Sequence, residues 1–225
     1  YQISLPAGQY LRLSVDQKEE TVISSLMDSA GATLIEANYA GKENLSVIAP
    51  RAAGDVSTYQ VEIRTRLSGK KIGQSARYII KIEEQRPATS RDEDRIKAER
   101  MVAEATRLSL QSGQAKQVLR RAVEQYQAAL PLWRTPPVER DDKLEEARTL
   151  YLLGLRQQDL GENQVALESY LQALEICQTE PDPQRECLVM SSLGTIYFTI
   201  GDTQKAVDFY NSALKLSQID HDTKT

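Results

Sequence analysis

The hydrophobic pattern of the first 85 or so residues alternates with a period of two, which is typical of half-buried β-strands. In the run from Tyr10 to Val15, for example, Leu11, Leu13 and Val15 share one face. Clusters of Gly, Asp, Asn and Pro separate the runs and supply the residues that turns need. The predicted strands are residues 2–5, 10–15, 21–27, 33–37, 45–49, 57–64 and 78–82. Seven short strands with no helix between them predict an antiparallel β-sandwich over residues 1–85.

The polar positions of these strands carry balanced charge, with ten Lys or Arg against ten Asp or Glu over residues 1–85. We expect these charged side chains to lie on solvated outer faces of the sheets. In the last strand, the alternation predicts that Tyr78, Ile80 and Ile82 point inward.

After residue 86 the hydrophobic period becomes helical, and the composition shifts toward Ala, Glu, Lys, Arg and Leu. Residues 86–90 are predicted to form a linker, and Ser90 with Glu93 three residues later matches a capping box that begins a helix. The predicted helices are residues 91–111, 116–133, 141–159, 162–178, 183–200 and 203–218. The chain is therefore expected to have two domains, an all-β domain over residues 1–85 and an all-α domain over residues 91–225.

The helical part repeats with a period of 40 residues. The matched pairs are Leu153 and Leu193, Gly154 and Gly194, Gly161 and Gly201, Ala166 and Ala206, Tyr170 and Tyr210, and Ala173 and Ala213. This pattern predicts helix hairpins in which Gly154 and Gly194 permit close packing and Tyr170 and Tyr210 fill the space between successive hairpins. Such hairpins bury their apolar faces by stacking into a solenoid.

The two clear repeats cover residues 141–178 and 183–218. A degenerate hairpin over residues 91–133 is marked by Ala122, Tyr126 and Ala129, which lie 44 residues before Ala166, Tyr170 and Ala173. We expect this hairpin to cap the N-terminal end of the array. Gly161 and Gly201 are expected to end the first helix of each repeat in a left-handed conformation.

The order Leu193-Gly194, Tyr197, Gly201, Ala206, Tyr210 and Ala213 resembles the tetratricopeptide repeat. The first repeat departs from the pattern, because Gln157 stands at the position of Tyr197. The resemblance implies a right-handed α-solenoid that binds a peptide or a partner domain on its concave face. It implies that this face is lined by Arg148, Tyr151, Leu155, Gln158, Leu188, Ser191, Thr195 and Phe198. The alternative is that the face packs on the chain's own sandwich or on a second copy.

The strand region, in its segments 1–10, 22–31 and 59–63, resembles the bacterial pre-peptidase C-terminal type of β-sandwich. Sandwich, linker and repeats follow in an order similar to the N-terminal part of bacterial proteins that end in a caspase-like CHAT peptidase domain, which is not present in these 225 residues. Some pre-peptidase sandwiches bind calcium, and the acidic residues in the corresponding region are Asp16, Glu19, Glu20 and Asp28. Calcium needs about six to eight converging oxygens, and the sequence lacks a suitably spaced loop, so no metal ligand is assigned.

Composition limits the chemistry of the 225-residue chain. Its one histidine, His221, lies in a polar run near the C-terminus, where neither a catalytic constellation nor a metal site is expected. The net charge of -4 gives no basic face for nucleic acid. The chain has no apolar stretch of the length that crosses a membrane. We therefore predict no catalytic residue, no cofactor, no nucleic-acid partner and no membrane insertion.

Two features of the last repeat leave alternatives open. Cys177 and Cys187 flank a Pro-rich turn and are either buried free thiols or a disulfide pair. The last helix carries several apolar residues although only a polar tail follows it. These are Ala206, Phe209, Tyr210, Ala213, Leu214 and Leu216. Since a terminal repeat normally has a polar outer face, we expect either further repeats in a longer parent protein or self-association through this helix.

Together these patterns predict a non-enzymatic scaffold module of a larger bacterial protein, which binds a peptide or partner domain. The alternatives are a regulatory or substrate-recruiting arm of a CHAT-type peptidase, and a sandwich that binds carbohydrate or calcium. Tyr1 in place of an initiator Met indicates that the chain begins inside a longer gene product. Because sandwiches of this type are commonly exported, a periplasmic or extracellular location is favoured over a cytoplasmic one.

Overall fold

A computed structural model describes residues 1–17, 22–37, 42–50, 56–65, 78–111 and 115–222. In these residues a strand region precedes a helical region, so the predicted fold class is confirmed. The strands are β1 Gln2–Pro6, β2 Gln9–Gln17, β3 Val22–Met27, β4 Thr33–Ala37, β5 Lys42–Ile48, β6 Val56–Thr65 and β7 Tyr78–Pro87. The helices are α1 Ser90–Gln111, α2 Lys116–Trp133, α3 Arg140–Asp159, α4 Asn163–Thr179, α5 Pro183–Thr199 and α6 Thr203–Asp222.

The strands form two antiparallel sheets, one in the order β1-β6-β3-β4 and the other in the order β5-β2-β7. Alternate residues of both sheets share one buried core, which is the arrangement of a β-sandwich. The four-stranded sheet contributes Leu5, Leu26, Ile35, Tyr59 and Val61, and the three-stranded sheet contributes Leu11, Leu13, Val15, Leu45 and Val47.

The outer face of the three-stranded sheet is buried, so the expectation of solvated outer faces is wrong there. Arg12 is only 6% exposed, and Tyr10 and Ser46 are likewise buried. A carboxylate from α1 covers them: Glu99 accepts hydrogen bonds from the Ser46 amide at 3.1 Å and from its hydroxyl at 2.8 Å. Burial and the nearby Glu99 raise the pKa of Tyr10. The sheet therefore packs on both of its faces.

The last strand departs from strict alternation. Tyr78 and Ile80 pack against the sandwich core as predicted. Ile82 pairs with the core residue Leu13, on the predicted side of the strand, but it is 58% exposed and does not join the core. The register between β2 and β7 shifts between Arg12 and Leu13. A bulge of this kind adds one residue to one strand and redirects the side chains beside it.

Helix α1 begins with a cap one residue earlier than the predicted Ser90–Glu93 pair. The Asp92 carboxylate accepts from the Thr89 amide and hydroxyl, each at 2.7 Å, and from Arg86 at 2.7 and 2.9 Å. Asp92 is fully buried. The chain divides into two compact units, Tyr1–Ala103 and Glu104–Thr225, so the first turns of α1 belong with the strands.

Candidate functional site

The hairpins α3–α4 and α5–α6 are each built on a contact between a glycine and a tyrosine ring. A Cβ atom added to Gly154 of α3 would lie 2.5 Å from the Tyr170 ring of α4. The same atom on Gly194 of α5 would lie 2.8 Å from the Tyr210 ring of α6. Any larger side chain at either glycine would therefore force the tyrosine ring or the helix backbone to shift.

The turns inside the two hairpins also follow the repeat. Gly161 has a φ of 81° and Gly201 a φ of 90°, so both adopt the predicted left-handed conformation. Their amides donate to the Gln158 and Phe198 carbonyls at 2.9 and 3.1 Å. The turn at the end of the first helix therefore has the same geometry in both hairpins.

The eight residues expected to line the binding face lie on α3 and α5, four on each helix, and we call this surface the α3–α5 face. The α3 half is largely occupied by contacts within the protein. Tyr151 and Leu155 pack against the buried core of the hairpins. Arg148 lies 3.3 Å from Glu145, and Gln158 accepts from the Tyr170 hydroxyl at 3.1 Å. These four side chains are held in place by their neighbours.

The α5 half of the α3–α5 face is more open. Phe198 is 64% exposed and Leu188 is 47% exposed. The Ser191 and Thr195 hydroxyls both donate to carbonyls one turn earlier, and the Thr195 hydroxyl also lies 3.0 Å from the Tyr210 hydroxyl. The face therefore joins a fixed half on α3 to two exposed apolar side chains on α5.

A buried hydrogen bond explains why the first repeat has Gln157 where the second has Tyr197. Gln157 is buried and accepts from the Ser169 hydroxyl at 2.7 Å. The residues 40 positions later are Tyr197 and Phe209, whose rings stack at 5.4 Å. A polar pair in one hairpin thus replaces an aromatic pair in the other. The signal was present in the sequence, because both members of the pair differ between the repeats.

Charged side chains near the array are paired with one another. Lys143 Nζ lies 2.6 Å from the Glu180 carboxylate, and Arg156 lies 3.2 Å from Asp159. Hydrogen bonding from Lys205 lowers the pKa of the Asp202 carboxyl, which begins α6. Lys205 in turn lies 5.0 Å from the centre of the Tyr197 ring. These pairs hold the ends of helices and present no strong field of one sign.

The thiols are free. Cys177 and Cys187 form no disulfide, and Cys187 is only partly buried. Burial raises the pKa of the Cys177 thiol to about 11, so this thiol stays protonated at neutral pH. Cys177 therefore lacks the lowered pKa of a nucleophilic cysteine.

Among the residues that the structure describes, no cluster of three or more His, Cys, Asp or Glu could hold a metal ion. Asp28 serves a turn, because its Oδ1 accepts from the Ala30 and Ala32 amides at 2.9 and 2.8 Å. Glu19, Glu20 and the His221 side chain lie outside the described part of the chain. No helix within that part is long and apolar enough to cross a membrane.

Hairpins that each contain a glycine–tyrosine contact and pack on one another in chain order through a shared apolar cluster define a helical repeat array. Residues 145–219 match the tetratricopeptide repeat family, so this part of the chain carries tetratricopeptide repeats. The chain is 32% identical over 77 residues to photosystem I assembly protein Ycf3 of Rippkaea orientalis and to that of Acaryochloris marina. The match covers 34% of this chain and 43% and 45% of these relatives, so the chain spans less than half of their length.

Solved structures with a similar helical region include the tetratricopeptide domain of Arabidopsis FLU. It shares 18% identity at a TM-score of 0.47, over 56% of this chain and 98% of that domain. The structure of BtubC from P. vanneervenii shares 21% identity at a TM-score of 0.41, over 58% of each chain.

Proposed function

We propose that the repeat array binds a protein partner across the α3–α5 face and acts as an assembly scaffold. The observation that carries the proposal is the exposure of Phe198 and Leu188 on one side of α5, beside a fixed and half-buried α3. Ten residues of helix separate these two side chains, which is about 15 Å. A surface of that length fits a short extended or helical peptide segment.

The chemistry of the face favours a peptide with spaced apolar side chains. The helix already orders the backbone beneath Phe198 and Leu188, so binding orders only their side chains. The neighbouring hydroxyls of Ser191 and Thr195 bond to the helix's own carbonyls, so they lose little when a peptide removes water. The α3 half supplies Arg148 and Gln158 at the edge, where polar groups give direction rather than most of the affinity.

The curated relatives support a role in assembly, because each is named as a photosystem I assembly protein. We carry over only the general role of holding other proteins during assembly. The resemblance of the sandwich to pre-peptidase domains supports a further proposal, that the chain belongs to a larger bacterial protein and recruits substrates for its peptidase. An exported location stays a prediction. We do not propose calcium binding, since Asp28 is used by its own turn.

A photo-crosslinking experiment tests the α3–α5 face. Benzoylphenylalanine replaces Phe198 in one sample and Leu171 in the control, which is 41% exposed on α4. After irradiation in a lysate of the source organism, we expect a discrete crosslinked product from position 198 and none from position 171. The further substitution Leu188→Ser should reduce the product severalfold. Equal yields from both positions, or a yield that Leu188→Ser leaves unchanged, would argue against this face.

A further inference from the structure

The second hairpin presents an apolar surface that is separate from the α3–α5 face. It consists of Val207, Tyr210 and Leu214, which follow one another at helical spacing on α6, and we call it the end face. All three side chains are exposed, and Leu214 is 56% exposed. An apolar row of this kind on the surface is a candidate for contact with another protein element.

The equivalent surface of the first hairpin, on α4, can be compared with the end face on α6. The equivalent pairs, 40 residues apart, are Leu167 and Val207, Tyr170 and Tyr210, and Leu174 and Leu214. Exposure is 0% for Tyr170 but 42% for Tyr210, and 9% for Leu174 but 56% for Leu214. The first hairpin has the same kind of apolar row, and there the row is covered.

The element that covers the first row is the helix α5. Its Val189, Leu193 and Ile196 are fully buried in one cluster with Tyr170 and Leu174. The cluster also includes Leu150 of α3, so α5 occupies a groove between α3 and α4. Spacings of four and three residues place these three aliphatic side chains on one side of a helix. The occupant of such a groove is therefore an amphipathic helix.

Some of the contacts that hold α5 in its groove have no equivalent at the end face. The start of α5 is held by polar contacts from α3, because Lys143 bonds to Glu180 and Arg140 donates to the Pro181 carbonyl at 3.0 Å. The residues 40 positions after Arg140 and Lys143 are Glu180 and Pro183, which are not cationic. The end face thus repeats the apolar part of the groove without the contacts that hold a connecting turn.

We propose that the end face binds an amphipathic α-helix of a separate partner protein, with aliphatic side chains at the spacing of Val189, Leu193 and Ile196. A helix that arrives without a connecting turn does not need the missing cationic contacts. A second copy of this chain fits less well, since it would bring a matching groove rather than a helix to fill it. Binding should depend on apolar contact and hardly on salt.

The test uses the whole chain and a defined probe. The probe is a fluorescent, hydrocarbon-stapled peptide that copies residues 183–199, with its staple away from the aliphatic side, and anisotropy gives its Kd. We expect Leu214→Ser to weaken binding at least about tenfold, because Leu214 is the most exposed apolar side chain of the end face. The matched control Leu171→Ser removes a comparably exposed leucine on α4 and should leave Kd unchanged. Raising the salt concentration should change Kd less than about twofold.

Three results would overturn the proposal. The first is equal affinity of the unchanged protein and Leu214→Ser, and the second is equal affinity for a control peptide with Ser at the three aliphatic positions. The third is a dimer in light scattering that Leu214→Ser abolishes, which would identify a second copy as the occupant. Circular dichroism of each variant separates loss of binding from loss of folding. Because Phe198 and Leu188 are unchanged in these variants, failure here leaves the proposed role of the α3–α5 face standing.

Discussion

Replacing Gly154 and Gly194 separately with Ala gives a matched pair of perturbations at equivalent positions of the two hairpins. At each site the new Cβ atom would lie under 3 Å from a tyrosine ring, 2.5 Å at Gly154 and 2.8 Å at Gly194. No carbon atoms approach so closely without repulsion, so in each hairpin the ring or the helix must move. The two sites differ in whether the ring has space to move into.

The magnitudes follow from that difference. Within a helix Ala is favoured over Gly by about 1 kcal/mol, and this gain applies at both sites. Overpacking of a filled core costs about 1–3 kcal/mol. Tyr170 is fully buried and its hydroxyl bonds to Gln158, so the overpacking cost less the helix gain should lower the free energy of unfolding of Gly154→Ala by up to about 2 kcal/mol. Tyr210 is 42% exposed and can turn outward, so Gly194→Ala should be near neutral, within about 1 kcal/mol.

Urea denaturation followed by circular dichroism at the helical band measures both variants under the same conditions. The expected result is a lower midpoint for Gly154→Ala and an almost unchanged midpoint for Gly194→Ala. The control is Tyr170→Leu combined with Gly154→Ala, in which the clash is removed and the loss from the glycine substitution should shrink. Equal losses at the two glycines would refute the reasoning, because the exposure of the ring would then have no effect.

Three further outcomes are expected. Asp92→Asn should lower the free energy of unfolding by about 3 kcal/mol at pH 7, because it removes the charge of a buried carboxylate that pairs with the partly exposed Arg86 and the buried Arg95. Burial raises the pKa of the Asp92 carboxyl, but hydrogen bonds from Arg86 and Thr89 outweigh this effect and lower the folded-state pKa. The loss of stability is therefore full above the unfolded pKa of about 3.9 and shrinks as the pH falls through the lower folded-state pKa. Urea titrations from pH 7 to 3 measure this dependence, and a constant loss would contradict it. Gln157→Tyr and Ser169→Phe should each lower the free energy of unfolding when made alone. When they are made together, a double-mutant cycle should show a favourable coupling of at least about 1 kcal/mol, and additive losses would contradict the replacement of a polar pair by an aromatic pair. Iodoacetamide at neutral pH should label Cys187 well before Cys177, because burial raises the pKa of the Cys177 thiol. Mass spectrometry of the peptides measures the order of labelling, and the reverse order would contradict the prediction.

The sequence was sufficient to predict the repeats, because their signals are local. Gly161 and Gly201 need a left-handed turn, and Gly154 with Tyr170 stand at fixed spacing in one hairpin. These constraints act within about 20 residues and recur 40 residues later, so comparing the chain with itself is enough to find them.

Packing between residues that are far apart in the sequence could not be predicted in the same way. Tyr10 and Arg12 alternate with apolar residues just as solvent-facing residues do, and only Glu99, 53 residues after Ser46, reveals that a helix covers them. Ile82 is exposed although it pairs with the buried Leu13, and its strand β7 lies at the edge of the sheet, a position that hydrophobic periodicity does not record. Whether the eight residues of the α3–α5 face bind a partner is likewise a property of two molecules and stays a prediction.

The contacts between Asp92, Glu99 and the strands bear on how this sandwich could be moved between proteins. A fragment that stops at residue 85 would expose Tyr10 and remove the carboxylate that Ser46 bonds to. It would also lack Arg86, whose guanidinium donates to the Asp92 carboxylate in the first turn of α1. Gene fusions or recombination events that preserve the sandwich would therefore have to carry the opening turns of α1 with it, and a join near Ala103 is compatible with that requirement.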